Sequence, residues 1–110
     1  MNWTPLQSMD QLEDILSGTS PSLLFKHSTR CSISTVALER LNKSVLSDRV
    51  NAYLLDLLSF RDISTAIASR LQVHHESPQV LLIKNGKCVY VESHLSITVP
   101  EIEEALDNSL

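Results

Sequence analysis

The chain has 110 residues, of which 43% are hydrophobic and 20% are charged, a composition typical of a folded globular domain and not of a disordered chain. This length supports one hydrophobic core, and we predict a single domain over residues 1–110. The net charge is −4 and the nine Lys and Arg residues are scattered, so we expect no nucleic-acid partner. The N-terminus lacks the pattern of a secretory signal and no apolar run reaches membrane length. We therefore expect no membrane partner and a cytoplasmic location.

Local patterns in the first part of the chain predict a helix, a strand and a second helix. Ser8 as N-cap, with Gln11 three residues later, forms a capping box. This helix is predicted at about residues 9–17, with Gly18 just after its end. An apolar run without alternation then predicts a strand, covered on both faces, at about residues 22–27. The spacing that follows is helical, and its predicted apolar face comprises Ile33, Val36, Ala37, Leu41 and Val45.

The next segments predict a second strand and helix, followed by a hairpin. Residues 50–58 form a nearly continuous apolar run, and helical spacing returns over residues 60–71. The alternation of strand and helix implies that the first two strands are parallel. Residues 77–92 read as two antiparallel strands, joined by a tight turn at Asn85-Gly86.

A last helix is predicted near the C-terminus. Thr98 and Glu101 form a second capping box, with Pro100 in the first turn. The predicted fold is therefore α/β, a four-stranded mixed sheet flanked by helices, with an extra N-terminal helix. A parallel pair followed by a hairpin and a closing helix resembles the thioredoxin-like fold.

Cys31 is the candidate catalytic residue because it stands at the junction between the first predicted strand and the helix after it. Unpaired amides and the dipole at a helix start favour a negative group there. Arg30 adds a neighbouring cation, Ser34 carries a hydroxyl that could donate to the sulfur, and His27 lies close in sequence. We expect these three residues to stabilise a Cys31 thiolate, the form that attacks disulfides. The alternative is an ordinary buried cysteine.

Three segments resemble one family within the thioredoxin-like superfamily. They are FKHSTRCSIS at 25–34, YLLDLLSFRDIS at 53–64 and SPQVLLIKNGKCVYVESH at 77–94. They are similar to the YtxJ family, the monothiol bacilliredoxins of the bacillithiol redox system. The chain departs from the family pattern at Ser32, where the motif is expected to have proline.

The resemblance implies further site residues. Ser34 occupies the place where dithiol oxidoreductases carry their second cysteine, so an external thiol must complete the reaction. Pro78 is implied to be cis and to leave Ser77 lining a groove for an extended thiol ligand. Taken alone, an X-Pro bond is far more often trans, and proline also suits the first residue of a strand.

The other cysteine and the remaining polar residues are expected to have structural or surface roles. We predict that Cys88 faces the core as a small apolar residue, with a resolving thiol as the alternative. A Cys31–Cys88 disulfide is disfavoured in a reducing cytosol. The chain has four histidines, His27, His74, His75 and His94. Their spacing is not that of the ligands in structural zinc sites, so no metal is expected. Lys26 and Asp56 end neighbouring parallel strands and could pair near the site, although charged side chains at strand ends are usually solvated.

The resulting hypothesis is a monothiol thiol-disulfide oxidoreductase that removes bacillithiol, or a similar small thiol, from protein cysteines through Cys31. Its expected partners are S-thiolated proteins and a low-molecular-weight thiol co-substrate, and no metal or organic cofactor is expected. Two alternatives remain: a non-catalytic binding module of thioredoxin fold, and an iron-sulfur carrier of monothiol glutaredoxin type. The oligomeric state is left open by the sequence.

Overall fold

The computed structural model describes residues 1–109, which form five strands and four helices. In chain order these are β1 (Trp3–Pro5), α1 (Met9–Ser17), β2 (Ser22–His27), α2 (Ser32–Asn42), β3 (Asn51–Asp56), α3 (Arg61–Leu71), β4 (Gln79–Lys84), β5 (Lys87–Ser93) and α4 (Val99–Asn108). Short 3₁₀ turns lie at Leu46–Asp48 and His94–Ser96. Within this described part, no helix combines the length and apolar character needed to cross a bilayer.

The strands form one mixed sheet in the order β1-β3-β2-β4-β5. β2 is parallel to β3 and antiparallel to β4, and β4 pairs with β5 in the predicted hairpin. The predicted sheet of four strands gains a fifth, because Trp3–Pro5 pairs in parallel with β3 at the sheet edge. Three residues are too few to show a period in the sequence, and Pro5 is tolerated because the strand lies at an edge.

Two hydrophobic layers cover the two faces of the sheet, as the apolar runs of the central strands predict. One contains Leu23 and Phe25 of β2 with residues of α2 and α4, and the other contains Leu24 with residues of α1 and α3. Side chains of a strand alternate between faces, so β2 contributes to both layers. Every residue of β2 is buried.

The buried face of α2 is only partly the predicted one. Its buried residues are Ser34, Ala37 and Leu41, which follow the helical spacing i, i+3, i+7. Ile33 and Val36 are instead 38% and 40% exposed. The prediction is confirmed for Ala37 and Leu41 and was wrong for Ile33 and Val36. The buried face is centred on Ser34, a polar residue that hydrogen bonds hold in the interior. Val45, also assigned to that face, lies beyond the end of the helix and is exposed.

The two predicted capping boxes have different outcomes. At α1, Ser8 Oγ accepts from the amide of Gln11 at 3.1 Å, and the Gln11 side chain accepts from the amide of Gln7. At α4, Thr98 is the N-cap residue, but its side chain makes no capping hydrogen bond. The carboxylate of Glu101 accepts from the Tyr90 hydroxyl instead. The second capping box was therefore wrong, because Glu101 faces the sheet edge.

The β4–β5 turn has the backbone that Asn85-Gly86 predicts. Both residues have positive φ, 54° and 75°, which is the requirement of a tight two-residue hairpin turn. A Cβ atom on Gly86 would lie 2.7 Å from the carbonyl oxygen of Leu16. Glycine is therefore required here both by φ and by the close approach of α1.

Candidate active site

Cys31 is the N-cap residue of α2, in the short loop that follows β2. Its amide donates to the carbonyl of Ser28, and its own carbonyl accepts from the amide of Thr35, the first hydrogen bond of the helix. Cys31 is partly exposed and its thiol is free. The N-cap side chain is the group closest to the unpaired amides of a first helical turn. The structure thus places Cys31 at the helix start, as the sequence predicts, and leaves it open to a reactant. Within residues 1–109 its side chain makes no capping hydrogen bond.

Ser34 is completely buried, one helical turn after Cys31. Its Oγ accepts from the amide of Ser28 at 3.0 Å and lies 2.6 Å from Nδ1 of His27. Within residues 1–109, no hydrogen bond joins this hydroxyl to the Cys31 sulfur. Ser34 therefore ties the loop before α2 to the end of β2, a role that the sequence did not predict.

His27 is the last residue of β2, and its ring is buried between Phe25 and Ser34. The rings of Phe25 and His27 stack with centroids 5.7 Å apart. Burial lowers the pKa of His27 below its usual value, and the nearby Asp56 carboxylate opposes this only in part. His27 is consequently neutral at pH 7, and its side chain contacts Ser34. Its effect on the Cys31 thiolate stays a prediction.

Arg30 lies in the exposed part of the loop, directly before Cys31. No salt bridge within the described residues includes it. Its guanidinium is thus available to solvent and to an approaching anionic group. Its effect on the sulfur remains a prediction.

Ser77 and Pro78 lie at the same end of the sheet as Cys31. Lys26 pairs with Gln79 across β2 and β4, so the next residues outward are His27 and Pro78. The Ser77–Pro78 peptide bond is cis, as the resemblance implies. The Ser77 hydroxyl is buried and has no hydrogen-bond partner among residues 1–109. A polar atom of this kind is suited to a ligand that brings the missing partner.

Lys26 and Asp56 do not pair, and the expectation that Lys26 is solvated was wrong. Lys26 is 0% exposed. Its Nζ donates to the carbonyl of Ser64 and to Nδ1 of His75, both at 3.1 Å. Alternation along β2 turns Lys26 to the same face as Leu24, beneath α3. The sequence signal for this burial is that Lys26 directly follows the apolar run of the predicted strand. Asp56 accepts from Leu58 and Ser59 in its own loop.

Cys88 belongs to the periphery of the core on the α1/α3 side, which confirms the predicted apolar packing. Its thiol donates to the carbonyl of Tyr90, and burial raises the pKa of the thiol. The register places Cys88 opposite Ile83, and Ile83 opposite Ser22, the first residue of β2. Cys31 follows the other end of β2, roughly 16 Å away along the strand. A disulfide requires Cα atoms within about 7 Å, so the two cysteines cannot join in this fold.

The other histidines lie outside the Cys31 loop. His75 contacts Lys26 and Ser64, and His94 Nδ1 lies 3.5 Å from Glu76. Over residues 1–109, no group of three or more His, Cys, Asp or Glu side chains has the arrangement of a metal site. The absence of a metal from the reaction stays a prediction.

Solved structures with this architecture include several redox proteins. A protein described as a candidate oxidoreductase with a thioredoxin fold is 34% identical, with a TM-score of 0.83 over 92% of this chain and 90% of that chain. The thioredoxin of Trypanosoma brucei brucei is 15% identical, with a TM-score of 0.76 over 98% and 90% of the two chains. Mitochondrial thioredoxin 3 of Saccharomyces cerevisiae is 14% identical, with a TM-score of 0.75 over 96% and 94%. The last two similarities establish the thioredoxin fold alone.

A family model described as monothiol bacilliredoxin BrxC matches residues 4–102, which include every candidate site residue. This match confirms the resemblance of the three sequence segments. It agrees with a site that holds one accessible thiol and a buried serine in place of a second cysteine. The chain is a redox protein of thioredoxin fold and belongs to the monothiol bacilliredoxin family.

Proposed function

We propose that the protein is a thiol-disulfide oxidoreductase that removes bacillithiol, or a similar small thiol, from mixed disulfides on protein cysteines. The observation that carries the proposal is the position of Cys31. Its free thiol is partly exposed at the N-cap of α2, with Ser34 buried one turn later. A nucleophilic sulfur at a helix start is the arrangement that thiol exchange requires.

The reaction proceeds in two exchanges. The Cys31 thiolate attacks the sulfur of the small thiol in the mixed disulfide, so a new S–S bond forms as the bond to the target protein breaks. The target leaves as a thiolate and takes up a proton from water. A second small thiol then attacks the adduct on Cys31, leaves with the first as a symmetrical disulfide, and regenerates the Cys31 thiolate.

In this scheme no second thiol of the chain displaces the adduct on Cys31. Ser34 cannot form a disulfide, and the register keeps Cys88 at the opposite end of β2. The adduct on Cys31 must therefore wait for a thiol from solution or from a partner reductase. No metal or organic cofactor takes part, and the small thiol is a co-substrate.

The mixed disulfide is bound beside Ser77 and Pro78. The pairing of Lys26 with Gln79 brings this segment next to the β2–α2 junction. The unpartnered Ser77 hydroxyl offers a hydrogen bond to an extended ligand. S-thiolated proteins of the cytoplasm are the proposed partners.

Intact mass spectrometry after treatment with oxidised bacillithiol tests the proposal. We expect one small-thiol adduct, located on Cys31 by peptide mapping. It should persist after the reagent is removed, because no internal thiol can displace it. Addition of reduced bacillithiol should restore the original mass. Release of the thiol from a bacillithiolated test protein should require only catalytic amounts of the chain.

Paired variants supply the controls. Cys31→Ala should abolish both the adduct and the release of bacillithiol, whereas Cys88→Ala should retain both. A Cys31–Cys88 disulfide together with loss of turnover in Cys88→Ala would overturn the monothiol scheme. Unchanged biological activity of Cys31→Ala would favour a binding module, and a coloured purified protein that contains iron and sulfide would favour an iron-sulfur carrier.

A further inference from the structure

A pocket of ≈ 340 Å³ lies on the α3 side of the sheet, the face opposite α2. Its wall consists of one face of the first turns of α3, the residue after β3 and a histidine in the loop before β4. The lining residues are Leu57, Arg61, Ser64, Thr65, Ala68 and His75. None of them carries a carboxylate, so the pocket has no built-in negative charge.

The buried ammonium of Lys26 lies directly behind this wall. Its Nζ is held by the carbonyl of Ser64 and by Nδ1 of His75, and both of these residues line the pocket. Within residues 1–109, no salt bridge includes Lys26. Burial lowers the pKa of Lys26 to about 8, so the side chain still carries its charge at pH 7. A buried cation without an anion is costly, and an anion close by would offset part of that cost.

This contact also sets the polarity of the pocket wall. A lysine ammonium has donors only, so Nδ1 of His75 must accept from it and the ring proton must sit on Nε2. Ser64 Oγ lies farther from the same Nδ1, at 3.3 Å. Since the single acceptor site of Nδ1 is already taken, the Ser64 hydroxyl is free to donate elsewhere. The wall therefore presents the donors of His75, Ser64 and Arg61.

Within residues 1–109, the carboxylates nearest in sequence make no hydrogen bond or salt bridge to these donors. Both oxygens of Asp56 accept hydrogen bonds within their own loop, from Leu58 and Ser59. Glu76 faces His94. Asp62 directly follows Arg61 in α3, and adjacent helical residues project from different faces. Over residues 1–109, Arg61 is in no salt bridge.

We propose that this pocket binds a small oxyanion, the carboxylate or phosphate group of a low-molecular-weight ligand, through Arg61, Ser64 and His75 with Lys26 behind them. The planar guanidinium of Arg61 supplies a bidentate donor, and the buried ammonium supplies the local positive field. The pocket volume admits a ligand of a few carbon atoms but not a folded protein segment. Neither Cys31 nor any residue of α2 lines this pocket.

Heteronuclear NMR titration of the Cys31→Ala protein tests this inference independently of the proposed function. Malonate and inorganic phosphate are added separately, with the ionic strength held constant by sodium chloride. We expect saturable amide shifts confined to residues 57–68 and 75 for at least one of the two anions. Stronger binding of malonate assigns a carboxylate ligand, and stronger binding of phosphate assigns a phosphate ligand.

Two variants and a matched control complete the test. Arg61→Gln should reduce the affinity for the more tightly bound anion at least about tenfold, because it removes a charged hydrogen bond. Lys26→Met should also reduce this affinity, by more than Arg61→Gln does. Lys43→Gln, which removes an exposed charge elsewhere, should leave the affinity unchanged. The inference is overturned if neither anion gives saturable shifts, if shifts are spread over all Lys and Arg positions, or if Arg61→Gln and Lys43→Gln behave alike.

Discussion

The hydroxyl oxygen of Ser34 lies 2.6 Å from Nδ1 of His27, and the same oxygen accepts from the amide of Ser28. These contacts join the end of β2, the loop and the first turn of α2 into one unit. The position of Cys31 therefore depends on a buried serine that does not bond to its sulfur.

Replacing Ser34 with Ala should destabilise the protein by about 1–3 kcal/mol. The change leaves the Ser28 amide and the His27 ring without their buried partner, and the desolvation of such groups is then uncompensated. The free energy of unfolding in urea measures the effect. Ser32→Ala, at an exposed position in the same turn, is the control and should change stability by less than about 0.5 kcal/mol. Equal effects of the two variants would mean that the Ser34 contacts contribute no stability.

Replacing Ser34 with Cys should convert the site to a dithiol. Oxidised bacillithiol should then produce an internal disulfide between Cys31 and the introduced thiol in place of a lasting adduct, provided that the two sulfurs reach bonding geometry. Intact mass distinguishes the two products, since the disulfide lacks the mass of the small thiol. A lasting adduct on Cys31 in this variant would show that the serine position does not control resolution.

Alkylation by iodoacetamide at pH 7 should modify Cys31 several times faster than Cys88. Both cysteines are partly exposed, but Cys31 lies at the start of α2, whereas burial raises the pKa of the Cys88 thiol and reduces its thiolate fraction. Peptide mapping at short reaction times measures both rates in one sample. Rates that are equal, or a faster reaction at Cys88, would contradict the assignment of the nucleophile.

The pH dependence of stability should report the buried Lys26. Its pKa is lowered from 10.5 to about 8 in the folded protein, so above pH 8 the unfolded chain binds more protons. Stability therefore rises with pH in this window and falls as the pH drops toward 8. The gain attributable to Lys26 is about 2 kcal/mol between pH 7.5 and 9.5.

Comparison with a variant isolates that contribution from other titrating groups. Lys26→Met should lose the rise of about 2 kcal/mol in the free energy of unfolding, whereas Lys43→Met, at an exposed lysine, should retain it. Urea unfolding at several pH values measures both curves. Parallel curves for the wild type and Lys26→Met would mean that Lys26 does not titrate in this range.

Replacing Gly86 with Ala should destabilise the hairpin by about 1–3 kcal/mol. The residue has a φ of 75°, and the added Cβ would lie 2.7 Å from the carbonyl oxygen of Leu16. Gly18→Ala is a matched control, because its φ is −78° and the added Cβ would meet its nearest atom at 3.4 Å. Thermal unfolding of the two variants gives the comparison. Similar midpoints would exclude the steric conflict with α1.

The order and type of the main elements followed from the sequence because each depends on local patterns. The apolar run of β2, the Asn85-Gly86 turn and the Ser8 cap each act over a few residues. The same local reading located Cys31 at a strand-to-helix junction, which is the essential feature of the site. Family resemblance then supplied the cis bond before Pro78, which no propensity indicates.

Only the tertiary structure decided the features that depend on distant parts of the chain. The strand Trp3–Pro5 exists because β3 offers it a free edge, and Ser34 is buried because His27 and Ser28 satisfy its hydroxyl. Lys26 remains in the interior because α3 and the His75 loop provide acceptors for its ammonium. A polar side chain is buried when partners from other elements replace its hydrogen bonds to water, and sequence periodicity does not indicate those partners.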